Sequence, residues 1–339
     1  MPDAHNFNWR DGERTIVFGE GVLERSPQLL AESGFHGYDL LTTSRALAEA
    51  PEQLAEQARA VHEVARVSVP EAAGEVIENV SGDLVALGGG RVVDTAKGVA
   101  AIVGGRVAAI PTTLAGSPIT GFHRLPAGRE SEFTGFVRCV LVLADPDPMT
   151  SSPEEALRAT AMNALAHAAE SLYAPGANPV SEMAALRGAE LIGRSLATDR
   201  VRRDRGDLAL GAVLGAYAIG STGLALHHAV CQTLVLVLGL PHAQVNATML
   251  PHTMSAMTHR APRQIAALAG SLGTSAGAVG ARISELAGGS RRLSQLGVDI
   301  DKAQIDDVLD ALEARGDIAT NTPDPPDREQ LRALISGAW

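Results

Sequence analysis

An α/β half built on a parallel sheet, followed by a nearly all-helical half, is the fold class predicted by the 339-residue sequence. Three observations predict it. Over residues 1–150 short β-branched runs alternate with helical segments, and strands separated by helices pair in parallel. From Ser152 onward, long Ala- and Leu-rich periodic stretches replace them. Between the two, Ala144-Asp145-Pro146-Asp147-Pro148 closes the last strand with two prolines, a natural boundary. With 45% hydrophobic residues the chain is long enough for two cores, so the halves read as domains 1–150 and 151–339.

In chain order, strands are expected at 15–18, 39–42, 84–87, 107–110 and 140–144, where the β-branched and aliphatic runs lie. Helical spacing then covers 153–173, 179–198, 207–218 and 264–269. For the first of these, Ser151 or Ser152 is the expected cap and Pro153 the expected first helical residue. Glu154 and Glu155 follow where the helix dipole favours acids. Residues 320–327 are proline-rich and polar, and 328–335 return to helical spacing. The sequence contains no internal repeat and no long low-complexity segment.

Composition excludes several function classes. The 39 acidic against 28 basic side chains give a formal charge of -11, which argues against nucleic acid or an anionic membrane as partner. Two cysteines, Cys139 and Cys231, lie far apart without a CxxC pairing, so neither a disulfide framework nor a structural zinc is implied. Cys231 reads as buried filler rather than nucleophile. Residues 1–10 lack a basic-then-apolar signal pattern, and no apolar run reaches the ~18 residues that span a bilayer, so a cytoplasmic location is expected. Aromatics at 3% leave few rings to stack on sugars or bases.

Two turns are candidates for phosphate binding. Leu84 to Leu87 run into Gly88-Gly89-Gly90 and then Arg91, Asp94 and Lys97, a strand, a glycine turn and a helix start. Glycines permit close backbone approach, and the unpaired N–H groups of a helix start attract a pyrophosphate. The run is neither a P-loop nor GxGxxG, and a plain tight turn accounts for the glycines equally well. A second strand ends in Pro111-Thr112-Thr113 and reaches Ser117, offering hydroxyls to a phosphate or ribose. Two such turns on adjacent strands favour a nucleotide site, because ligands bind beyond the carboxyl ends of parallel strands.

The histidines carry the remaining signal. Asn163 and His167 sit four apart, as do His228 and Gln232, so on helices each pair shares a face; His242 follows on a loop. Histidines gathered from two helices and a loop suit a divalent metal, yet no carboxylate accompanies them. A second use of the same cluster is proton donation, with a protonated imidazole giving a hydrogen bond and then its proton. His227 lies beside the cluster, while His252 and His123 read more readily as satisfied core or surface residues.

Taken in order, these motifs resemble the iron-containing alcohol dehydrogenase superfamily, and within it the maleylacetate reductase branch. The carriers are Phe18-Gly19-Glu20-Gly21, Gly88-Gly89-Gly90 with Asp94 and Lys97, Pro111-Thr112-Thr113 through Ser117, and Asp145-Pro146. Asn163 to Ala168 with Glu170 and Tyr173, then His227-His228, Pro241-His242 and the final 331–339 helix complete the set. The resemblance implies a Rossmann-like N-terminal domain binding NADH or NADPH, an all-helical C-terminal domain of the dehydroquinate synthase-like fold, an interdomain cleft, and a homodimer. It also implies that iron or zinc ligands, where a relative has them, fall on Asn163, His167, His228 and His242. Asn163 stands where metal-dependent relatives have aspartate and so marks the reductase branch, which makes tight metal binding the less favoured reading.

The chain departs from this pattern in several places. Gln232 replaces a usual histidine, residues 233–236 replace a usual Leu-Gly-Gly, Pro118 replaces a glutamate, Arg91 replaces a serine, and the 126–136 loop is shorter. After the second strand, Thr43, Ser44 and Arg45 occupy the region that meets the adenosine ribose; no acid is there, and Arg45 favours a 2'-phosphate. The expected substrate is a small oxo- or enoyl-carboxylate, with Arg91, Arg124 and Arg129 as candidate anchors. The alternatives are a non-redox lyase or isomerase on the same scaffold, and a nucleotide-binding protein without reductase activity.

Overall fold

The computed structural model describes residues 7–296 and 302–339. One compact unit runs to Ser152 and takes in Arg205–Leu210; the other comprises Pro153–Asp204 and Gly211–Trp339.

The first unit is built on a seven-stranded sheet: β1 (Phe7–Asp11), β2 (Arg14–Phe18), β3 (Asp39–Thr42), β4 (Ala60–Glu63), β5 (Leu84–Gly88), β6 (Val107–Pro111) and β7 (Leu141–Ala144). Their order is β1-β2-β7-β6-β5-β3-β4. Every residue of β3, β5, β6 and β7 is buried, as expected where helices cover both faces of a parallel sheet. The five strands expected from sequence are present. Two more flank them. β1 pairs antiparallel with β2 through a turn at Gly12, whose φ of 62° is left-handed, so the sheet is not wholly parallel. β4 closes the far edge, and its half-buried and exposed residues lack the apolar run that marks the others.

Register sets up the site. Gly88 pairs with Pro111 and Leu41 with Ala86, so the turns after β3, β5 and β6 emerge at one edge of the sheet. The Asp145 carboxylate there accepts from the Leu23 N–H at 3.0 Å and caps the short helix Pro146–Met149 by accepting from the Asp147 N–H.

In the second unit the helix Glu154–Ser171 is buried on nearly every side, its alanines allowing close packing against the helices His242–Arg260 and Pro179–Ala197. The expected first helix therefore exists, with one correction. Pro153 is the N-cap, the helix begins at Glu154, and the expected serine cap is absent; Ser151 Oγ instead donates to the Pro148 carbonyl at 3.1 Å. Arg203 and Arg158 engage the Glu154 carboxylate, and the Arg203 guanidinium foremost holds its pKa down at about 2. Of the other expected helices, Arg205–Thr222, Pro262–Ser271 and Arg328–Gly337 are longer than their apolar runs, and Pro179–Ala197 ends one residue before the expected 198. His242, expected on a loop, is the first residue of His242–Arg260. Among the described residues no single helix is long and apolar enough to cross a membrane.

Candidate active site

Three helices of the second unit bring the histidines together. His167 comes from Glu154–Ser171, His227 and His228 from Leu226–Leu238, and His242 opens the next helix. The rings of His167 and His228 stack at 4.9 Å with planes 6° apart, and His227 meets His228 edge-on at 5.2 Å. All three are buried.

A carboxylate missing from the expected ligand set is present beside it. Glu170, one turn beyond His167, lies 2.6 Å from His228 Nδ1 and accepts the His228 backbone N–H at 3.0 Å. Since the ionised carboxylate only accepts, His228 carries its proton on Nδ1 and presents a bare Nε2. That Nε2, His167 Nδ1 and Asn163 Oδ1 are all buried without a protein partner. Unmatched buried polar atoms are uncommon and point to a ligand. His227 is used up by the protein instead, its ring nitrogens 2.9 Å from Thr253 Oγ1 and from Asn246 Oδ1.

Burial pushes His227 and His228 down to about 3 and His167 well below its usual range, with the neighbouring imidazoles adding to the effect. The rings are therefore neutral near pH 7, and the expected protonated imidazole is corrected to a neutral one. Burial acts oppositely on Glu170, raising its pKa against the pull of the N–H groups around it. The Tyr173 phenol and the Cys231 thiol are likewise pushed well up by burial, which keeps the thiol an inert packing group.

The donor set does not fit a resident divalent metal. Among the described residues no three His, Cys, Asp or Glu side chains are grouped to hold an ion. His242 is exposed, with Nε2 at 3.3 Å from the Asn246 amide nitrogen, and Glu170 is committed to His228. What remains is two imidazoles and a neutral amide, a set without the anionic ligand that a hard cation favours.

Two groups joined to this cluster through Gln232, namely Arg315 and Asp317, escaped the sequence reading. Gln232, one turn past His228, accepts at Oε1 from Arg315 Nη2 at 3.1 Å, and Arg315 is held in turn by Asp317. Arg315 lies 83 positions from Gln232, so no spacing rule links them. A cavity of about 570 Å³ in this unit is lined by Thr248, His252, Arg291 and Trp339 among others, and by none of the motif histidines.

In the first unit the glycine turn leads from β5 into the helix Gly90–Val103, whose N-cap Gly89 offers no side-chain cap. The glycines also have a packing reason. A Cβ on Gly90 would meet Ala115 Cβ at 3.0 Å and Ser117 Oγ at 3.2 Å, so the loop after β6 lies against the turn. Three expected cofactor ligands hold one another: Ser117 Oγ donates to Asp94 at 2.9 Å, and Lys97 Nζ sits 2.9 Å from the other Asp94 oxygen. Lys97 is fully buried and also donates to the carbonyls of Ser117, Thr120 and Phe122, which commits its ammonium to the loop. Arg91 is half-buried with Nε unpartnered.

A second cavity, of about 150 Å³, lies where β3 and β6 end, lined by Thr43, Arg45, Glu49, Thr112, Thr113, Ser151 and Ser152. Thr43 Oγ1 caps the following helix, and Ser44 Oγ bonds Glu63. Arg45 bonds Glu49 at 3.2 Å. An acid therefore does line this corner, contrary to the sequence reading, and it already occupies the arginine assigned to a 2'-phosphate. Among the other proposed anchors, Arg129 pairs with Glu132 and Arg124 is exposed, while His123 packs on Phe133 in this first unit.

Residues 13–146 match the family described as iron-containing alcohol dehydrogenase, and 158–339 match its C-terminal part, the Fe-containing alcohol dehydrogenase family, C-terminal. The chain is 34% identical over 270 residues to maleylacetate reductase 1 of Rhodococcus opacus, covering 76% of this chain and 72% of that protein. It is 30% identical over 345 residues to maleylacetate reductase of Burkholderia cepacia, covering 96% and 95%. Among solved structures, maleylacetate reductase from Agrobacterium tumefaciens superposes with a TM-score of 0.85 at 27% identity, covering 98% of both chains.

Proposed function

The chain belongs to the iron-containing alcohol dehydrogenase family, and from that premise we propose that it is an NAD(P)H-dependent reductase of a small conjugated oxo-carboxylate of the maleylacetate type. The observation that carries the reading is the buried trio of unmatched polar atoms, Asn163 Oδ1, His167 Nδ1 and His228 Nε2, backed by Glu170. The non-redox alternative is not favoured, since the relatives named above are reductases.

The cofactor would be held by the edge of the sheet, with the phosphates at the uncapped start of Gly90–Val103 and the adenosine end against Thr43, Thr112 and Thr113. Bound there, a reduced nicotinamide supplies hydride. Delivery to the alkene carbon β to the carbonyl places negative charge on the carbonyl oxygen. The Asn163 side-chain N–H and the His167 ring N–H are the neutral donors for that oxygen, and His167 is buried, which strengthens its hydrogen bond. His228 moves the proton. Its bare Nε2 relays the one proton the reduction consumes, taken from a solvent acid, to the substrate carbon α to the carbonyl and returns to neutral, and the Glu170 carboxylate on Nδ1 stabilises the transient imidazolium meanwhile. No step is assigned to a metal.

The test is loss of nicotinamide absorbance on adding maleylacetate to the protein with NADH or NADPH, with and without EDTA. Oxidation that survives EDTA is expected. Cofactor binding without turnover, whether in EDTA or in added Zn2+ or Fe2+, would overturn the reading.

A further inference from the structure

Gln232 stands on the helix Leu226–Leu238 one turn past His228, so the two side chains share a face. Its Oε1 is occupied by Arg315 Nη2 at 3.1 Å. Arg315 ends the helix Lys302–Arg315, and Gly316, at φ 70°, turns the chain back so that Asp317 grips the guanidinium from Nε at 3.0 Å and Nη2 at 2.7 Å. The short helix that follows is tied down in turn, as Asn321 Nδ2 donates to the Leu224 carbonyl at 3.1 Å, just ahead of the histidine helix. The guanidinium is thus fixed in place while 28% of the side chain stays exposed.

These bonds leave two donors over. Among the described residues no contact uses Arg315 Nη1 or the Gln232 amide nitrogen. Two N–H donors on side chains already hydrogen-bonded to each other suit the two oxygens of one carboxylate. We propose that Arg315 and Gln232 together bind a carboxylate of the substrate, making Arg315 a specificity-determining residue of this site. The proposal rests on the reductase reading above and extends it to how the acid group is recognised. It also gives the Gln232 replacement a purpose: a glutamine keeps its donor at every pH and can be shared with an arginine, whereas a neutral histidine that donates to substrate has no fixed charge beside it.

A purely structural Arg315 would brace the helix and nothing else. The full chain, R315Q and R315K are compared by NAD(P)H oxidation with maleylacetate and by calorimetric titration with maleate, a carboxylate probe that needs no turnover. Expected for R315Q is a KM for maleylacetate raised about tenfold to a hundredfold, with kcat changed far less, and maleate binding weakened by a like factor. R315K, which keeps the charge without the planar fork, falls between. An unchanged KM and maleate affinity in R315Q, at wild-type thermal stability, would overturn the proposal; so would a wild type that does not bind maleate. If R315Q does not fold, R315K with wild-type affinity overturns it and R315K with weakened affinity supports it. A wild type that binds maleate, losing it in R315Q, but does not reduce maleylacetate refutes the substrate assignment and leaves the carboxylate site standing.

Discussion

At the scale of single residues, the pair Glu170–His228 sets the chemistry. A carboxylate on Nδ1 fixes the tautomer of a buried imidazole and leaves Nε2 as the sole route for its proton. The substitution E170Q preserves shape but lets the amide present either oxygen or nitrogen to the ring, so His228 loses its tautomer and its counter-charge. The expected result is a fall in kcat/KM on the order of a hundredfold or more, with nicotinamide affinity unchanged in a fluorescence titration. Wild-type kcat/KM in E170Q would remove the pair from the mechanism. Much of this was legible in the sequence, because Asn163, His167 and His228 follow helical spacing and helical spacing survives in the fold. Glu170 appeared only as part of a motif, since nothing in a spacing of three says which histidine a carboxylate will meet. Arg315 was not legible at all; its link to Gln232 is made by a turn at Gly316 and by packing, neither of which has a sequence pattern.

Among elements, the helix Gly90–Val103 carries the most constraint. It starts uncapped where the glycine turn meets the loop after β6, and along its length Gly98 lies under the backbone of Arg124, where a Cβ would stand 2.4 Å from the carbonyl oxygen. No flexible side chain can yield there. Gly98→Ala should cost about 1–3 kcal/mol, read as a lowered midpoint in urea unfolding, and an unchanged midpoint would mean that the 124–125 backbone moves freely. The strands were legible where burial on both faces writes a continuous apolar run, as in β5 and β6. They were not where an edge relaxes that demand, as in β4, whose residues are half-buried and exposed. The same distinction explains the missed cap. Ser151 is a good capping residue, but Pro153 has extended backbone, so the helix starts one residue later than a proline at its first position would allow.

For the whole molecule, burying neutral histidines couples stability to acidity. His227 and His228 titrate near 3 when folded and near 6.5 in the unfolded chain, and His167 is shifted the same way. Between those values the unfolded state binds more protons, so stability is full above pH ~6.5 and drops as the pH falls below it. Glu154, held at about 2 by Arg203, adds a second loss as the pH falls from the ordinary carboxylate range towards 2. The unfolding temperature should accordingly decline from about pH 6.5 and steepen below pH ~4.5. A flat profile from pH 7.5 to 5 would mean that the rings are not neutral in the folded protein. Lys97 bears on a different practical matter. It and Lys302 are the only lysines among 28 basic side chains, and Lys97 is sealed under the loop it anchors. Amine-directed acylating reagents and crosslinkers therefore find no accessible lysine on the intact sheet unit, and any labelling of Lys97 counts how often that loop lifts.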